Sequence, residues 1–291
     1  MKGKNLSALG LTVIVLLSLL SACGGAAPEP EQEQGLITME PVSLNAGEKL
    51  KVVATTNIVG DVVRQVGEDR IELATLMGVG VDPHSYVPTP ADTAAIHDAD
   101  VVFANGAGLE ADLDGMFASA GGDAVQIHLS DGLARRPAGE TPEESSDEHE
   151  HGDEAGNTDP HVWLDVENVQ QWVAKIEEAL SSLDPANAEA YRANAKAYSS
   201  QLQELDAWVV EQVASIPEGN RKLVTNHPAF AYFAGRYGLE QIGAVYPVSP
   251  SAEPSAREIA ALEDAIRDYG VPAVFTESTV NPKLAQQVAK D

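Results

Sequence analysis

Apolar positions follow two alternating periods along most of the chain. Lys49–Thr56 is a β-rich run, and Ile58, Val62, Val63 and Val66 then recur at helical spacing. Ile71–Met77 predicts a second strand and Pro90–Asp98 a short helix. Asp100–Ala104 is continuously apolar after its first residue, as buried parallel strands are, and Val125–Leu129 predicts a fourth strand. Strands alternating with helices predict a parallel α/β lobe. A helix is expected from Val166 to Leu183, with Asp165 as N-cap and Asp184-Pro185 as its stop. A second long helix follows over Ala186–Val213, its stripe formed by Tyr191, Ala195, Tyr198, Leu202, Leu205, Trp208, Val209 and Gln212. Two long helices with no strand between them predict a spine joining two lobes. Alternation then restarts with strands at Lys222–Thr225, Gly243–Tyr246 and Ala273–Thr276. Between and after them, helices are expected at Ala229–Tyr237, Ser255–Tyr269 and Pro282–Lys290. The predicted fold is α/β: two parallel-sheet lobes joined by a long rigid spine helix, with a site in the cleft between them. The chain stops at a helix with no strand after it, so the second lobe is expected to be incomplete.

Three stretches fall outside this pattern. Lys2 and Lys4 precede the apolar run Leu9–Leu20, which is short for a membrane span and suits the core of a signal peptide. It ends in Leu20-Ser21-Ala22-Cys23, which resembles the lipobox of bacterial lipoproteins and marks Cys23 for lipidation. Cys23 is the only cysteine, which excludes an intramolecular disulfide and a thiolate metal cluster. The processed chain is therefore expected outside the cytoplasm, lipid-anchored to a membrane in the periplasm or at the cell surface. Residues 138–159 hold no hydrophobic side chain larger than alanine and read as an acidic loop that carries His149 and His151. The expected organisation is a signal peptide over 1–22, a flexible tether over 23–47, an N-terminal lobe over 48–184, a linking helix over 185–215 and a C-terminal lobe over 216–291. Lys and Arg number 18 against 45 Asp and Glu, a net charge of −27. That balance disfavours nucleic acid and concentrates cations near the surface.

Seven histidines remain to be placed: His84, His97, His128, His149, His151, His161 and His227. Three share a context. His84 lies in Asp82-Pro83-His84, His161 in Asp159-Pro160-His161 and His227 in Asn226-His227-Pro228. Each lies near a strand end or in a loop, where open α/β sheets form their sites. The neighbouring proline restricts the backbone and lowers the cost of holding an imidazole in one orientation. Neutral imidazole ligates zinc, copper, nickel and iron, and three such nitrogens supply most of a tetrahedral zinc shell. Asp82 and Asp159 could each accept a hydrogen bond from a ring N–H. His97 and His128 are expected at the surface or in packing, and Trp163, Trp172 and Trp208 in the core.

The segments Gly80–Tyr86, Asp159–Asp165 and Thr225–Phe233, with Ala104–Glu110 and Phe275–Ser278, resemble the zinc and manganese ABC-transporter solute-binding family from about Leu50 onward. The resemblance implies capture of a metal ion, Zn2+ ahead of Mn2+, and its delivery to a membrane permease by a non-enzymatic, monomeric protein. By position, His84 and His161 are ligands from the first lobe and His227 from the second. Manganese members tend to carry Glu where this chain has His227, and the harder manganese ion favours carboxylate oxygen. The loop with His149 and His151 resembles the His-rich loop of zinc members and is a possible auxiliary metal site. Family members also have an Asp further along, a fourth ligand expected beyond Asp291, and Glu277 is read as structural. The alternatives are a manganese- or iron-binding member, a surface adhesin active in cell adhesion, and a zinc hydrolase. The hydrolase is disfavoured because no His-Glu-x-x-His helix occurs.

Overall fold

In a computed structural model of the chain, residues 39–137, 158–246, 253–277 and 281–290 are described. The signal peptide, Cys23, His149 and His151 lie outside these residues.

Four parallel strands form the first lobe: β1 (Leu50–Thr56), β2 (Ile71–Met77), β3 (Val101–Ala104) and β4 (Val125–His128), in the order β2-β1-β3-β4. Leu50 pairs with Ile71, Val53 with Val102 and Val101 with Val125. The two central strands are buried on both faces, which is why their sequences are continuously apolar. Alternation divides their side chains between two cores. Val52, Ala54, Val101 and Phe103 pack with α1 (Asn57–Gly67). Val53 and Val102 pack with α2 (Pro90–His97) and α3 (Asp114–Ala120) on the opposite face.

Two long helices complete the first core, α4 (Val166–Leu183) and α5 (Ala188–Ser215). Asp165 caps α4 as expected, accepting the Glu167 N–H at 2.9 Å. At the other end the Asp184 carboxylate accepts the Tyr191 hydroxyl (2.8 Å) and the Asn187 amide (2.7 Å), fixing the turn between the two helices. Trp172 and Tyr191 are fully buried between them. The 28 residues of α5 span about 42 Å. That length outruns the sheet. The expected stripe is buried at Tyr191, Ala195 and Leu202, but Leu205 and Trp208 are exposed, so Trp208 is corrected from core to surface. The helix continues toward the second lobe, where Asp206 receives Arg236 and Tyr237 of α6 (Ala231–Tyr237).

That lobe holds parallel strands β5 (Lys222–Thr225) and β6 (Glu240–Ala244). The strand expected at Gly243–Tyr246 therefore begins earlier. The one expected at Ala273–Thr276 is reduced to a parallel bridge from Val274 to Val224, with the Phe275 N–H on Val224 O at 2.8 Å. Val224, Ile242 and Val245 pack against Leu262 of α7 (Ala256–Tyr269) and Ala285 and Val288 of α8 (Lys283–Val288).

The described ends of two segments read as loose are packed. The tether expected up to residue 47 ends earlier, because Met39 is buried and the Val42 N–H bonds Leu183 O at 2.9 Å. The acidic loop expected over 138–159 closes on an ordered neck, where Pro137 bridges Thr158 and the Asp159 N–H reaches Arg136 O. Asp159 is 1% exposed there.

The two tryptophans should separate in stability measurements. Trp172→Ala is expected to cost about 3–5 kcal/mol in urea unfolding through lost burial and a cavity. Trp208→Ala, at a side chain 57% exposed, should stay within about 0.5 kcal/mol of the parent.

Candidate metal centre

The carboxyl ends of the strands build the site. Beyond β2, the Asp82 carboxylate accepts the His84 N–H (3.0 Å) and the Ser85 hydroxyl (2.9 Å), winding Pro83–Ser85 into a 3-10 turn that presents His84. Beyond β5, His227 O accepts both the Thr225 hydroxyl and the Ala229 N–H at 2.8 Å, fixing the turn that presents His227. His161 comes from the loop neck just before α4. Beyond β3 lies the support for that neck. Buried Glu110 accepts the Thr55 hydroxyl (2.7 Å) and the N–H groups of Asn105 (2.7 Å) and Gly106 (2.9 Å). Gly106 has φ +78°, and a Cβ there would strike Ser130 Oγ. The Asn105 amide, held in this way, donates to Pro160 O at 3.0 Å, one residue before His161.

The three imidazoles converge. His161 Nε2 lies 3.0 Å from Nε2 of His84 and 3.0 Å from Nε2 of His227. One ligand atom from each ring lies within 4.8 Å of the others. His161 and His227 are 5% and 4% exposed, and His84 is half-buried. Around them is a cleft of about 450 Å3 with apolar walls that include Ile58, Met77, Val79, Trp163 and Phe230.

The outer ring nitrogens decide the chemistry. His161 Nδ1 is 2.6 Å from Asp159 Oδ1, and His227 Nδ1 is 2.5 Å from Glu277 Oε1. An ionised carboxylate only accepts, so each Nδ1 carries the proton and donates it. In the neutral rings both inward Nε2 atoms are then bare lone pairs facing each other at 3.0 Å. No hydrogen bond can form between them, and a cation placed between them relieves the repulsion. Two donors about 2.05 Å from a tetrahedral zinc ion would be about 3.3 Å apart, so the spacing fits such an ion after a small relaxation. His84 has a different environment. Burial first, and then the neighbouring His161 and His227, push its pKa down from 6.5 to about 4. It is therefore an unprotonated donor at neutral pH.

Every histidine singled out by its proline context is brought to this centre. His97 and His128 are not: His97 Nδ1 is 3.0 Å from Ala120 O, and His128 ends β4. Of the two aspartates expected to orient rings, Asp159 does so, while Asp82 accepts backbone and hydroxyl protons instead. Glu277 takes the second orienting position, fifty residues from its histidine. The sequence marks it only by its place after an apolar run and inside the family-like segment Phe275–Ser278, and the bridge from Val274 to β5 carries it to His227. Trp163, expected in the core, is half-buried and packs its ring edge-on against His161.

Two α/β lobes, a long connecting helix and a cation-ready cleft define a solute-binding protein of the kind that serves uptake systems outside the cytoplasm. The chain belongs to the ZnuA family, the periplasmic component A of zinc-uptake complexes, whose profile it matches over residues 52–291. It is 33% identical over 289 residues to the manganese-binding lipoprotein MntA of Halalkalibacterium halodurans, covering 96% of this chain and 84% of that protein. Its fold matches the Mn-bound periplasmic metal-binding protein of Candidatus Liberibacter asiaticus with a TM-score of 0.72 and 26% identity, covering 84% and 85% of the two chains. A crystal structure of ZnuA aligns with a TM-score of 0.71 and 25% identity, over 84% of this chain and 88% of that one. The protein is thus a substrate-binding component of a metal ABC transporter and not an enzyme. It is extracytoplasmic and membrane-anchored, like the lipoproteins it matches. Among the described residues no helix is long and apolar enough to cross a membrane.

The depressed pKa of His84 has a consequence for the metal-free protein. Between its ordinary 6.5 and about 4, the unfolded chain binds a proton that the folded site refuses, so stability should fall as pH drops through that window. Thermal melts of the metal-free chain from pH 7 to 4 should show this slope, and His84→Gln should flatten it. An equal slope in the variant would remove His84 as its source.

Proposed function

We propose that His84, His161 and His227 together ligate one divalent transition-metal ion as cargo, and that this ion is zinc. The reading rests on one observation above the others: two carboxylates, Asp159 buried and Glu277 half-buried, fix the tautomers of His161 and His227 so that bare Nε2 atoms face each other. Zinc accepts three imidazoles readily and leaves a fourth position for another ligand or water. The carboxylates offset the ionic charge through the rings, and binding strengthens both hydrogen bonds. The ion would then pass to a membrane permease, with the protein held nearby by a lipid on Cys23 and acting as a monomer. His149 and His151, in the acidic stretch, would offer an auxiliary site for the same cation.

A second reading has specific support. The relative at 33% identity is named as manganese-binding, and one of the matched structures carries manganese. Manganese favours oxygen donors, and among the described residues the metal-ligating cluster is three histidines with no carboxylate. Elemental analysis of the chain purified without added metal tests which ion it carries, and competition between Zn2+ and Mn2+ by calorimetry tests their relative affinity. Zinc is expected to bind at least about 100-fold more tightly. The reverse order would overturn zinc and leave the site.

His161→Ala and His227→Ala are each expected to abolish tight binding in the same titrations. Glu277→Gln should weaken it by about 10–100-fold, as loss of a carboxylate behind a metal-bound imidazole does. Unchanged affinity in both histidine variants would refute the site.

A further inference from the structure

The two facing histidines belong to different lobes, so something other than the ion must hold them 3.0 Å apart. His227 is in the turn after β5, and Tyr232 follows it in the first turn of α6, 3% exposed. The Tyr232 hydroxyl donates to Asp159 O (3.2 Å) and accepts the Arg136 N–H (3.1 Å). Both belong to the loop neck of the first lobe, where the Asp159 N–H already bonds Arg136 O at 2.8 Å. Asp159 is also the residue whose carboxylate holds the backbone N–H and Nδ1 of His161. One hydroxyl thus joins the helix that follows His227 to the residue that orients His161.

Packing around this contact is close. The Arg136 guanidinium lies 5.8 Å from the centre of the Tyr232 ring, and a Cβ at Gly235 would strike it. One helical turn further on, Arg236 pairs with Asp165 (3.2 Å), Glu167 (2.5 Å) and Asp206 (2.8 Å). Positions 232 and 236 share a face of α6 and grip the first lobe on either side of His161. Burial pushes the Tyr232 pKa up, which keeps the hydroxyl protonated as a donor.

We infer that Tyr232 is a positioning residue that ties the histidine of one lobe to that of the other and sets how fast the bound ion leaves. The inference rests on the metal-binding reading above. An ion shared by His161 and His227 departs when the two lobes part, and parting requires the Tyr232 hydroxyl to release Asp159. With that tie absent, the two ligands separate more easily and the coordination geometry relaxes.

The test uses the full chain loaded with Zn2+ or Co2+. Tyr232→Phe removes only the hydroxyl. It is expected to release zinc to a chelator about tenfold faster and to alter the visible absorption of the cobalt form. Gly235→Ala displaces the Arg136 guanidinium from its seat and should act in the same direction, which covers failure of the first variant to fold. Val66→Ala, a buried substitution in α1, serves as the control for lost stability: it should lower Tm and leave release rate and cobalt spectrum unchanged. Parental release rates and spectra in Tyr232→Phe, or in Gly235→Ala if only that variant folds, would overturn the inference while leaving the histidine site standing. If the unaltered chain bound neither metal, the site reading would fail and the inference with it.

Discussion

The site depends on a pair of hydrogen bonds, a buried one from His161 to Asp159 and a partly buried one from His227 to Glu277. Each carboxylate accepts a hydrogen bond from the outer N–H of its ring, and so each turns a lone pair inward. Without these bonds an imidazole could rotate or change tautomer, and two neutral rings 3.0 Å apart would hydrogen-bond to each other. With them, that route to mutual satisfaction is closed. The pair is left with inward lone pairs that a cation can share.

The surrounding fold sustains this arrangement against its cost. Buried imidazoles with facing lone pairs and carboxylates in an apolar cleft are unfavourable unless their remaining polar groups are held. Backbone N–H groups supply much of that holding. The His161 N–H bonds the same oxygen as its ring, and Glu110 gathers two N–H groups and a hydroxyl to brace the neck through Asn105. His84 is held differently: Asp82 grips its backbone, and burial, then the neighbouring His161 and His227, keep its ring unprotonated. The centre therefore combines two rings locked by carboxylates with a third mounted on the exposed side of the cleft.

Charge acts on two scales. The net charge of −27 raises the concentration of cations around the whole molecule, without selecting among them. Any selection among them falls to donor type and spacing within a few ångströms at the centre. Between these scales stand Tyr232 and Arg236, which bond across the lobes that contribute the histidines.

Sequence by itself determined the two-lobe alternation of strands and helices, because continuous apolar strands and helical stripes record burial directly. It also determined the three histidines, because proline beside each one marks a stiffened turn, and family resemblance placed those turns in order. It misjudged what depends on the reach of an element rather than its period. Trp208 continues the apolar stripe of α5, yet the helix outruns the core that would cover it. Only the tertiary structure decided the orienting partners. Asp82 and Asp159 precede their histidines identically, but the first caps a turn and the second accepts a ring N–H, because the neck packing of Asp159 turns its carboxylate toward the imidazole. Glu277 reaches His227 across fifty residues through the bridge of Val274 to β5, and no local pattern encodes a contact made by strand register between distant segments.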